Sequence, residues 1–163
     1  RIVYNNFIHS GVGKYPDDRL KKLNLEILEQ KKNGSYVILS EPSDIMKKVY
    51  NVPTWTEDTI KLVKKYTDRK IILHNKFSKD PLKTLLKDAW AFISLQSTAG
   101  FMAMLNGVPS YFTDSSLRNI SKIQNIENPI IDYNIFNALA YGQWTLKEME
   151  TGEAWETISK HKV

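Results

Sequence analysis

Short apolar runs alternate with amphipathic stretches through the middle of the chain. Tyr36-Val37-Ile38-Leu39 reads as a short buried strand, the run Lys70–Leu73 as a second apolar strand, and the runs Trp90–Leu95 and Ser110–Thr113 as a third and a fourth. Between them, Thr56–Tyr66 has helical apolar spacing, with Thr54 and Glu57 set as a capping box. Pro81–Lys87 predicts a short helix with proline in its first turn. Thr98–Asn106 predicts a helix stopped by Gly107, with Pro109 two residues on. Upstream, an extended start (Ile2–Tyr4) and a turn at Gly11 and Gly13 precede Leu20, Leu23, Ile27 and Leu28, whose spacing predicts a helix running to Asn33-Gly34. Downstream come helices over Ile135–Tyr141 and Thr145–Met149, the second opened by a Thr145/Glu148 capping box, and a last one through Trp155 after Gly152.

Uniformly apolar strands separated by helices are the pattern of a parallel sheet covered on both faces. The expected fold is therefore a three-layer α/β/α Rossmann-like domain with a helical C-terminus. Its sheet has four strands, or five if Ile2–Tyr4 joins. At 163 residues the chain is expected to form a single domain. Because residue 1 is arginine, it reads as part of a longer chain.

In open parallel sheets, ligands bind beyond the carboxyl ends of the strands. That rule nominates four loops: Ser40–Ser43, His74–Ser78, Gln96–Gly100 and Thr113–Ser116. In the third, Ser97 or Thr98 can cap a helix, and the small Ala99 and Gly100 would let an anion approach its first amides. The competing reading is that these residues are small because the helix packs closely on the sheet. In the second loop, His74 and Lys76 could neutralise a phosphate, or could be a strand-end histidine and a solvated lysine. In the first, Ser40 and Ser43 offer hydroxyls, and Glu41 could bond a sugar hydroxyl or stand as a surface acid. Arg118 is a candidate phosphate partner or one half of an ion pair.

Composition narrows the chemistry. The chain is 42% hydrophobic and 25% charged, as in an ordered globular protein. With no cysteine there is no disulfide, thiolate metal site or cysteine nucleophile. His9, His74 and His161 lie far apart, so no resident metal is expected. No apolar run spans a bilayer and no leader pattern opens the chain, so a cytoplasmic protein is expected. Gly11-Val12-Gly13-Lys14 is followed by tyrosine and is no P-loop; a dinucleotide fingerprint and a nucleophile elbow are also lacking. Residues 1–90 hold 18 Lys+Arg against 11 Asp+Glu, a net +7 that suits an anionic ligand or a solvated lysine surface. Nucleic-acid binding is not expected, because no helix carries a basic stripe interleaved with aromatics. The aromatics Phe136, Tyr141, Trp144 and Trp155 read as core.

Taken together, the strand, Ser97-Thr98-Ala99-Gly100, helix and Gly107-Val108-Pro109 resemble the C-terminal, donor-binding half of GT-B glycosyltransferases. The likeness is to their capsule-polysaccharide, Kdo-transferase and sialyltransferase-like branches, and covers roughly residues 35–155. Ala103 and the Gly107-x-Pro109 pair match the helix motif, and Leu73-His74-Asn75-Lys76 occupies the place of a basic histidine loop. The segments Tyr141–Glu148 and Gly152–Trp155 also resemble uncharacterised phage and marine-bacterial relatives of that group. Two positions depart: Met102 stands where the family has a donor-binding glutamate, and the histidine loop lacks its proline.

The resemblance implies a nucleotide-sugar-binding domain acting in surface-polysaccharide or glycan synthesis, independent of metal. Ser97, Thr98 and Gly100 would hold the phosphate, His74 and Lys76 would neutralise it, and Ser40 and Ser43 would line the opposite wall. No catalytic base is identified, and the acceptor site would lie in an N-terminal domain outside this chain. The alternative is a non-catalytic Rossmann-like binding or assembly module, with the aromatic C-terminus as an interface between copies.

Overall fold

Four segments pair as a parallel sheet in a computed structural model that describes residues 15–114, 122–142 and 144–160. They are β1 (Tyr36–Ser40), β2 (Lys70–His74), β3 (Ala89–Ser94) and β4 (Ser110–Phe112), ordered β2-β1-β3-β4 among the described residues. All three pairings are parallel. The fold is α/β and Rossmann-like, with a helical C-terminus. Ile2–Tyr4, the Gly11/Gly13 turn and Arg118 lie outside the described residues.

The chain divides into two compact units, Glu26–Ile131 and the pair of segments Arg1–Leu25 with Asp132–Val163. The first unit holds the sheet, and strand alternation explains its layers. Val37, Leu39, Ala91, Ile93 and Tyr111 pack with Trp55 and Val63 on one side. Ile38, Phe92, Ala103 and Val108 pack with Leu86 on the other. The helices follow suit. The first side is covered by α3 (Trp55–Val63), which follows the short α2 (Asp44–Val49). The second is covered by α4 (Leu82–Leu85) and α5 (Thr98–Leu105). Register slips by one residue where Tyr36 faces Ala89 but Val37 faces Ala91. That bulge sends Trp90 to the same side as Ala91.

The other unit gathers α1 (Asp18–Leu23), α6 (Ile135–Ala140), α7 (Leu146–Glu150) and α8 (Glu153–Lys160). Here α1 packs on α6, and α7 on α8. Arg19 lies 3.8 Å over the Trp144 ring and donates to Glu148 at 3.1 Å. Phe136, Tyr141 and Trp144 are buried as expected, but Trp155 is exposed.

Three local expectations are corrected. The helix expected from Leu20 to Asn33-Gly34 ends at Leu23, because Asn24 turns into the left-handed region at φ 47°. The next stretch is not helical: Leu28 and Lys31 donate their amides to the carbonyls of Leu105 and Gly107. Gly34 is required for a different reason, since a Cβ there would lie 2.5 Å from the Trp90 amide nitrogen in the bulge. Thr54 does precede α3, yet its hydroxyl donates to Asp58 at 2.6 Å and no capping box with Glu57 forms.

Candidate functional site

The sheet order sets the site. The chain leaves β1 for β2 on one side and returns to β3 on the other, so a crevice opens beyond the carboxyl ends of β1 and β3. A cleft of about 650 Å³ lies there, within the range of small-molecule sites. Three of the four nominated loops line it: Ser40, Glu41 and Ser43 after β1, His74 and Lys76 after β2, and Ser97 with Ala99 after β3.

Each wall is held by its own hydrogen bonds. After β1, the Glu41 amide donates to the His74 carbonyl at 2.9 Å, tying the first loop to the second. The Glu41 carboxylate accepts from the Thr56 hydroxyl at 3.0 Å and from the Asn75 side-chain amide at 3.4 Å. It is thus fixed at the wall rather than swinging in solvent. Ser43 caps α2 by accepting the Met46 amide, and α2 then brings Ile45 and Lys47 to the cleft. After β2, Asn75 organises a tight turn: its Oδ1 accepts the Phe77 amide at 2.9 Å, and its own amide donates to the Ser78 hydroxyl at 2.9 Å.

The wall after β3 is the start of α5. Ser97 is extended (φ −90°, ψ 137°), and its hydroxyl oxygen accepts the Ala99 amide at 3.1 Å. The Gly100 amide is turned back onto the Ser97 carbonyl at 3.0 Å. Two of the first amides of the helix are therefore partnered within the chain. At its far end the helix closes in a Schellman turn, with the Val108 amide on the Ala103 carbonyl and the Gly107 amide on the Met104 carbonyl, both at 2.9 Å.

The nominated residues divide cleanly. Ser40, Ser43, His74, Lys76 and Ser97 line the cleft together. Thr98 is exposed at the first helical position and is not part of the lining. Gly100 is buried, and a Cβ on it would meet the Phe112 ring at 2.7 Å. Its smallness serves packing against β4, the competing explanation weighed from the sequence. In the fourth loop, Thr113 accepts the Trp55 indole N–H at 2.6 Å and contributes nothing to the lining. Met102 is 54% exposed and also lies off the lining.

Sequence reasoning missed Asp44, Ile45 and Lys47 as cleft residues, and it nominated the loop His74–Ser78 without singling out Asn75 or Phe77. The first three arrive on α2, which buries no residue and so has no apolar periodicity to read. Its one signal is Ser43-Asp44, a cap followed by an acid in the first turn. Phe77 was legible as an aromatic stranded in a polar loop.

Chemically, the cleft offers two lysines, a histidine, several hydroxyls, the oriented carboxylate of Glu41 and a second carboxylate, Asp44, at the start of α2. Ser43 and Ser97 each accept a backbone amide and keep their own O–H to donate. Among the described residues no cluster of histidine, aspartate or glutamate is arranged to hold a metal, and no helix is long and apolar enough to cross a membrane. Comparison of the chain with protein-family models, with curated proteins and with solved structures finds no match.

Proposed function

We propose that this chain is a nucleotide-binding domain whose ligand is a nucleotide sugar, as in the GT-B glycosyltransferases it resembles, with a role in surface-polysaccharide or glycan synthesis. One observation carries the reading: a cleft of ligand size at the sheet's switch point, with Lys47, Lys76 and His74 beside an oriented Glu41. A nucleotide needs cations and O–H donors for its phosphates and an acceptor for its ribose hydroxyls. Lys47 and Lys76 supply the charge, Ser43 and Ser97 the donors, and Glu41 the acceptor. Stabilising a departing nucleoside diphosphate or monophosphate needs such donors and cations and no metal.

A second reading is favoured by Met102, exposed and off the cleft where the resembled family carries its donor-binding glutamate. On that reading the domain binds a nucleotide without transferring a sugar.

Thermal unfolding with millimolar CMP, UDP, GDP and their sugars tests binding. A ligand at about 100 times its Kd adds about 2.7 kcal/mol, a shift of several degrees for a chain of this size. No shift with any of them refutes the proposal. Release of free nucleotide from a bound nucleotide sugar favours the transferase, and protection without release favours the binding module.

A further inference from the structure

We infer that Phe77 is the nucleobase platform of the cleft, so that the site recognises the aromatic base and not the phosphate alone; this rests on the nucleotide reading above. Phe77 is 82% exposed, yet it is held by backbone and side-chain bonds rather than left on a free strand of chain. Its amide is fixed by Asn75, whose side-chain amide reaches Glu41. A loop braced in this way presents its ring to solvent and to Lys76, with no core for the ring to serve.

Ile45 also lines the cleft and is 73% exposed. The two side chains put apolar surface into a cleft otherwise lined mainly by polar groups. The Lys76 ammonium lies 4.8 Å from the Phe77 ring centroid, so the aromatic and a cation able to pair with phosphate are neighbours. Cation, oriented carboxylate and exposed ring are the three kinds of group that the phosphate, the ribose hydroxyls and the base of one nucleotide call for. An aromatic ring takes any base by its π face, so the platform selects for the presence of a base and leaves its identity to other contacts.

The test is titration of the full chain with UDP, GDP and CMP, and separately with pyrophosphate and ribose 5-phosphate. Loss of one stacking contact lowers affinity by about tenfold. The nucleotides are therefore expected to bind about tenfold more tightly than the base-free probes. F77A should erase that advantage and leave pyrophosphate binding unchanged, and F77W should keep it. The exposure of Phe77 leaves the fold insensitive to these changes, which far-UV circular dichroism checks. Nucleotides that bind F77A as tightly as the wild type, or no better than pyrophosphate, overturn the platform and leave anion binding standing. Silence of every probe overturns the nucleotide reading and the platform with it.

Discussion

Replacing Glu148 by glutamine should make the protein's stability less dependent on pH, by an amount the geometry sets. Glu148 is buried at the start of α7, its side chain and that of Arg19 each 8% exposed. One carboxylate oxygen accepts the Thr145 amide at 2.8 Å and hydroxyl at 3.0 Å. The other accepts from Arg19 at 3.1 Å and Lys22 at 3.0 Å. The Thr145 amide first, then the two cations, hold its pKa down from 4.5 to about 2 despite burial. A depressed folded-state pKa contributes stability that is fully present above the unfolded value. That contribution drains away as pH falls from 4.5 towards 2. At about 1.4 kcal/mol per pH unit, the contribution is about 3 kcal/mol. Glutamine keeps the shape and can still serve in the capping box, but it leaves Arg19 without its charged partner. Urea unfolding at pH 7, 5, 4 and 3, followed by circular dichroism and by tryptophan emission, should show E148Q weaker by about 3 kcal/mol at pH 7. The gap should close steadily below pH 4.5. A constant gap across this range, or none at pH 7, would refute the electrostatic account.

Two further outcomes follow from α5. Gly107 (φ 72°) and Gly152 (φ 80°) share a left-handed backbone, but a Cβ at Gly107 would lie 2.2 Å from the Glu29 carbonyl oxygen and one at Gly152 would touch nothing within 4 Å. G107A should cost about 2–4 kcal/mol and G152A about 1 kcal/mol in denaturant unfolding, equal costs arguing against the clash. S97A should lose about 1 kcal/mol by removing the cap, and should also weaken nucleotide binding, while S97T keeps both; unchanged binding by S97A removes Ser97 from the phosphate wall.

The strands were legible because both faces of each central strand are buried, so their sequence is apolar without a break. The end of α5 was legible because a left-handed closing residue with a carbonyl 2.2 Å from its Cβ position admits little but glycine. Two identical cap patterns had different fates for a reason that is not local. Thr145 is extended at ψ 159° and reaches the Glu148 amide, as a capping box requires. Thr54 sits at ψ 19°, turned away from that geometry, and the neighbouring Trp55 is bonded to Thr113 of a distant strand end. The overlong first helix failed similarly: Ile27 and Leu28 look like a continuation of the stripe begun by Leu20 and Leu23, but Leu28 is exposed and its amide is bonded to α5 instead. In the site, loop positions followed from topology, so five nominated residues met in one cleft. Gly100 shows the limit, because a small residue at a helix start looks the same whether a ligand or Phe112 approaches it.

The proposed nucleotide site is the cleft beyond β1, β2 and β3. Amide chemical shifts mapped by heteronuclear NMR during titration with CMP, UDP or GDP test it most directly. Saturable shifts are expected at Ser40–Ser43, Lys47, His74–Ser78 and Ser97–Ala99, with Phe77 among them. Saturable shifts centred instead on the Lys64–Arg69 surface, or no shifts at millimolar nucleotide, would contradict it.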